Sequence, residues 1–163
     1  MLGNESGFPA ERFVARLSGM DVGDRARFRR NAGKSLTESS DVLASFYHLL
    51  PAGVPPSQEE GYFLVATLYP LAESAAIGDL GVSLRRARSS TNAKGLDRRV
   101  EFLLDADPAQ LPFRLRQVVR FLASNRVPVD WPLLLKHVLA WTHPDRFVQQ
   151  RWARSYFAGE SKP

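Results

Sequence analysis

The chain has no cysteine among its 163 residues, only three histidines and two methionines, and only four lysines among its 22 basic side chains. Without cysteine there are no disulfides and no thiolate metal sites, which suits a reducing cytosol and reads as a cytoplasmic protein. The histidines (His48, His137 and His143) form no i, i+3 or i+4 pair and no ligand-spaced set with a carboxylate, so no metal is expected. No apolar run approaches the roughly 20 residues of a membrane span. Met1–Phe8 has neither the basic nor the apolar region of a signal peptide. There is no G-x-S-x-G, no Walker loop and no dinucleotide fingerprint, so neither an enzyme nor a cofactor is predicted. Asp105 and Asp107 alone are too few converging carboxylates for two-metal nuclease work.

What is present is a globular composition, 44% hydrophobic and 24% charged, in a chain long enough to bury a real interior. Eighteen of the basic residues are arginine. A GC-rich genome produces such a bias, and so does a phosphate-binding role, because the planar guanidinium matches phosphate oxygens bidentately. The clustering says more. Between Leu80 and Arg126 stand ten basic residues against Asp97, Glu101, Asp105 and Asp107, a local +6 that exceeds the +5 of the whole chain. A local excess of guanidinium is what a polyanion-binding surface requires, since each phosphate neutralised releases counterions.

Almost every segment reads as a helix. Pro9 opens the first, with Phe13, Val14 and Leu17 on one side. Asp21 caps a second, through Arg25–Arg30 to Gly33, and Ser39 or Ser40 begins a third over Asp41–Leu50. Ser57-Gln-Glu-Glu60 has the form of a capping box before the apolar run Tyr62–Leu71, which Pro70 kinks or ends. A shorter helix spans Leu80–Arg88. Leu96, Val100, Leu103 and Leu104 make the next stripe. Asp107-Pro-Ala-Gln110 caps a helix burying Leu111, Leu115, Val118 and Leu122, and Asp130-Trp-Pro132 starts one burying Leu134, Val138 and Trp141. In the last, Val148, Trp152 and Tyr156 share a face. No period-two alternation appears, so the predicted class is all-α, two small helical lobes in a compact bundle-like protein. The polar stretch Ser89–Gly95 is expected to be a mobile basic loop between an N-terminal lobe (1–88) and a C-terminal lobe (96–163).

Three arginine clusters lack nearby acids. Arg85, Arg86 and Arg88 lie on one short helix, Arg116 and Arg120 are four apart on another, and Arg25, Arg27, Arg29 and Arg30 have only Asp24 close by. Lys34 and Lys94 complete the candidate contact set. Arg98 and Arg99 share a helix with Asp97 and Glu101 and read instead as surface salt bridging. Trp131, Trp141, Phe46 and Tyr47 read as core, and Arg151 and Arg154 as the solvated back of an aromatic stripe. No base-reading helix-turn-helix is visible, so binding is predicted to be directed at the backbone. Two other classes fit the same charges: a helical adaptor for an acidic protein, and a nuclease using Asp105 or Asp107.

In order along the chain, Phe13-Val-Ala-Arg-Leu17, Gly23-Asp-Arg-Ala-Arg-Phe-Arg-Arg30, Tyr62-Phe-Leu-Val-Ala66 and Leu80-Gly-Val-Ser-Leu-Arg-Arg86 resemble segments of the CasB family. So do Leu111–Phe121, Val127-Pro-Val-Asp-Trp131 with Leu133–Trp141, and Trp152-Ala-Arg-Ser-Tyr156. That family is the small subunit of the type I-E CRISPR surveillance complex, Cascade. The resemblance implies a non-enzymatic, two-lobed helical subunit present in two copies. Its partners would be guide RNA, the target and displaced DNA strands, and the other Cascade subunits. It implies a clamp on the R-loop in antiviral defence, in which base pairing supplies sequence and the protein reads backbone. By motif position, Arg25, Arg27, Arg29, Arg30, Arg85 and Arg86 carry this role over; Arg116 and Arg120 rest on helix geometry.

Overall fold

Phe13 and Leu17, one helical turn apart, are both completely buried, and the same pattern repeats along the chain. The computed structural model describes residues 8–72 and 75–158. Among these residues there are nine α-helices: α1 Pro9–Ser18, α2 Val22–Arg30, α3 Leu43–Leu49, α4 Glu59–Leu68, α5 Leu80–Ala87, α6 Ala93–Leu104, α7 Leu111–Ser124, α8 Trp131–Leu139 and α9 Phe147–Phe157. No strand occurs among them, only an isolated parallel bridge between Ala75 and Val129. The protein is all-α. No described helix is long and apolar enough to cross a membrane.

Several starts and stops follow the capping chemistry of the sequence. Asp21, Asp79 and Asp130 each accept a hydrogen bond from a backbone N–H three residues on, at 2.7–3.1 Å. Asp107 and Gln110 bond reciprocally, Gln110 N to the Asp107 carboxylate at 2.8 Å and Asp107 N to Gln110 Oε1 at 3.1 Å, one turn before α7. Pro70 stands in a single 3₁₀ turn that ends α4.

Four expectations are corrected. Ser57–Glu60 is no capping box: Pro56–Gln58 forms a 3₁₀ turn, and the Glu60 carboxylate instead accepts from Leu36 N at 3.2 Å. The third helix begins at Leu43, because Ser40–Val42 is itself a 3₁₀ turn. Tyr47 is 46% exposed rather than core, its hydroxyl donating to Glu59 at 2.7 Å. Residues 89–95 are not one loop. Ser89–Asn92 is a tight turn in which Ser89 N donates to Asn92 Oδ1 at 2.8 Å and Asn92 Nδ2 donates to Ala87 O at 3.0 Å. Lys94 and Gly95 lie in the first turn of α6.

The helices fall into two sets that interleave along the chain. In one, α8 lies across α1 and α4, with α2 and α3 alongside. In the other, α5 lies on α9, and α6 and α7 complete the set. Thus α5 belongs with helices that follow residue 89, and α8 with helices that precede it. A single buried core, from Ala10 to Tyr156, runs through both sets, so a boundary at 89–95 cuts through contacts rather than between them. The α5–α9 approach is close: a Cβ on Gly81 would stand 2.4 Å from Trp152 O and 2.9 Å from Ser155 Cβ. The three tryptophan N–H groups all find acceptors, in Ala72 O, Ala106 O and His137 Nδ1.

Candidate nucleic-acid interface

α2 carries Arg27, Arg29 and Arg30 in its last turn, where cations complement the helix dipole. Phe28, completely buried among them, fixes the rotation of the helix, so Arg29 and Arg30 face solvent. Neither has an ion-pair or hydrogen-bond partner among the described residues. Arg27 differs: it is paired with Asp24, which also accepts from Ser45 at 2.9 Å. Arg25 is half-buried on the same helix.

Gly33 follows α2 with φ +79°, a conformation suited to glycine. A Cβ there would stand 3.1 Å from Arg116 Cδ, so the aliphatic stem of Arg116 lies against this turn, beside the exposed Lys34. Helix α7 then extends the basic line to the exposed Arg120. Arg120 lines a shallow groove with Arg99, Gln117, Phe121 and Ser124, and the Arg99 guanidinium carbon lies 5.5 Å from the Phe121 ring centroid. Lys34, Arg116, Arg120 and Arg99 are therefore one strip built from three segments of chain. No carboxylate among the described residues forms a salt bridge with any of them.

Arg98 and Arg99, expected to form surface salt bridges on α6, have none among the described residues. Asp97, one of the two acids on their helix, is occupied by Arg88 and by the Tyr156 hydroxyl. Fold-level contacts decide this, and no helix-surface spacing reveals it.

The α5 cluster is divided by the same contacts. Arg88 is bound bidentately to Asp97, which corrects the expectation that no acid pairs with it. That bond, with some help from Tyr156, holds the Asp97 carboxyl below the usual carboxylate range. Arg85 donates from Nη1 to Tyr156 O at 3.2 Å and is half-buried. Arg86 alone of the three is exposed without a partner among the described residues. Lys94 is likewise exposed on α6.

No group of three metal-ligating side chains occurs among the described residues. Asp105 and Asp107 are both exposed, and Asp107 is spent on Gln110. His137 is buried in a different place, accepting from Trp152 Nε1 at 3.0 Å.

The sequence pattern of the family described as CRISPR-associated protein Cse2 matches residues 24–157, most of the chain. The chain belongs to the Cse2 family. A Cse2 protein of Thermus thermophilus is 34% identical over 94% of both chains. The crystal structure of CasB from the same organism is 31% identical, covering 93% of this chain and 99% of its own, with a TM-score of 0.79. A chain of a solved CRISPR RNA-guided surveillance complex shares the fold at 24% identity, with 92% coverage of each chain and a TM-score of 0.75. The Cse2 match takes in α7, most of α2, and the α5 and α6 arginines.

Proposed function

We propose that this Cse2-family chain is a non-catalytic subunit of a CRISPR RNA-guided surveillance complex, Cascade, acting in the cytoplasm in antiviral defence. It holds nucleic-acid strands by their backbones and so stabilises the open R-loop, with guide RNA, target strand and displaced strand as its ligands. Other Cascade subunits and a second copy of itself are its protein partners. One observation carries the reading: Lys34, Arg116, Arg120 and Arg99 form a strip across the turn after α2, α7 and α6, and no carboxylate among the described residues forms a salt bridge with any of them. Arg29, Arg30 and Arg86 are also exposed and form no ion pair among the described residues, so the chain offers further phosphate contacts and no base-reading helix.

The test is fluorescence anisotropy of the purified chain with two unrelated single strands and one duplex over a salt series. Similar affinities for unrelated sequences and a steep salt slope are expected. Changing Arg29, Arg30, Arg99 and Arg120 to alanine together lowers that slope by about 3, since each phosphate contact contributes roughly 0.7–0.9. An unchanged slope would sink the clamp in favour of an adaptor that docks an acidic protein.

A further inference from the structure

Phe102 and Phe113 are 48% and 52% exposed, and no element of the described fold covers them. Large rings left in solvent add nothing to a core and cost solubility, so a pair of them marks a contact surface. Helices α6 and α7 run antiparallel here: Arg99 meets Phe121, and Phe102 meets Arg114 farther along. The Arg114 guanidinium carbon lies 4.9 Å from the Phe102 ring centroid and 5.5 Å from that of Phe113, so one cation is shared by both rings.

This aromatic pair continues the basic groove. Phe102 is three residues from Arg99, and Arg114 three from Gln117, the spacing of neighbours on one helix face. Glu101, two residues from Arg99, lies off this line by helix spacing, and the exposed Asp105, three residues past Phe102 at the C-cap of α6, closes the face with one acid. The face thus alternates flat apolar rings with unneutralised guanidinium groups over about two helical turns.

We infer that the α6–α7 face is a stacking platform for the unpaired bases of a single strand. Phe102 and Phe113 take base faces, and Arg99, Arg114 and Arg120 take the phosphates between them. This deepens the clamp reading and rests on it. Exposed rings favour a single strand over a duplex, whose bases already cover one another. The positive charge of the face favours nucleic acid over an ordinary protein surface.

The full chain is tested with a single strand carrying 2-aminopurine, whose fluorescence is quenched when the base stacks, and with a duplex of the same sequence. The double variant Phe102→Leu with Phe113→Leu keeps apolar bulk at two half-exposed sites and removes only the rings. It is expected to lose the quenching and at least about 10-fold in single-strand affinity. Its duplex affinity and salt slope stay at the parent values. Phe102→Tyr with Phe113→Tyr retains both quenching and affinity. Equal losses for strand and duplex would overturn the platform, as would unchanged quenching in the leucine variant while the parent binds. Intact strand binding with lost association to other proteins would make the face a protein interface instead. A parent chain that binds neither probe overturns the clamp reading itself, a result distinct from all of these.

Discussion

Arg88 grips Asp97 through two parallel hydrogen bonds, Nε to Oδ1 at 2.9 Å and Nη2 to Oδ2 at 3.0 Å. The Tyr156 hydroxyl donates to the same carboxylate, so α5, α6 and α9 meet on one side chain. Burial first, and then this carboxylate, push the Tyr156 phenol above its ordinary range. An arginine within a basic run is here a structural tie.

Arg86 and Arg88 are therefore predicted to separate by experiment. Arg88→Ala lowers the melting temperature and leaves the salt slope of strand binding unchanged. Arg86→Ala leaves the melting temperature unchanged and lowers the slope by about 1. Thermal denaturation and the salt series, run on both variants, check the pair. The reverse assignment would place Arg88 in the interface.

Gly81 is predicted to be irreplaceable and Gly95 dispensable. An alanine methyl at 81 meets backbone, Trp152 O, and α5 must move off α9 at a cost of about 1–3 kcal/mol or more. Around Gly95 a Cβ meets nothing within 4 Å, and Gly95→Ala in the first turn of α6 gains about 0.5 kcal/mol. Denaturant melts of the two variants give both values.

His137 sets a pH dependence. Burial holds its imidazole below the ordinary value of 6.5, and its Nδ1 is already an acceptor for Trp152. As pH falls below about 6.5 the unfolded chain takes up a proton that the folded one refuses, so stability drops. Above that pH the contribution is whole. Asp97 and Glu11, both held low, lose their contributions only when pH falls through the carboxylate range. Melts from pH 8 to pH 5 are expected to show the upper loss in the parent chain. In His137→Gln it is flattened.

Asn92 holds the α5–α6 turn closed, and Asn92→Ala is predicted to cost about 1 kcal/mol. The parent chain is expected to resist trypsin at Lys94, which is helical, and the variant to be cut there faster. Timed digestion with mass analysis reads the difference.

Local chemistry was legible in the sequence wherever one side chain acts on backbone three residues away. Asp21, Asp107 and Asp130 all accept the bonds read for them, and Trp152 and Tyr156 fill the stripe expected of them. Longer-range matters were not. That α5 lies on α9 depends on Gly81 admitting the Trp152 carbonyl, which no periodicity encodes. Helix spacing offers Asp97 and Glu101 to Arg98 and Arg99, yet Arg88, nine positions back, claims Asp97. The end of α7 was equally hidden. It stops at Ser124, and just beyond it Arg126 has φ 57° and Val127 N donates to Leu122 O at 2.9 Å, a turn usually signalled by glycine. Of the candidate contacts, Arg29, Arg30, Arg86 and Arg120 are exposed, while Arg27 and Arg88 are engaged within the fold and Arg99 joins the strip.

The exchange of α5 and α8 between the two helix sets has a genetic consequence. A gene cut at codon 89 would yield one product bearing α5 without α9, and another bearing α8 without α1 and α4. Each would display a raw apolar face shaped for the other. Neither half would be a protein alone, and shape would return only where both were made together.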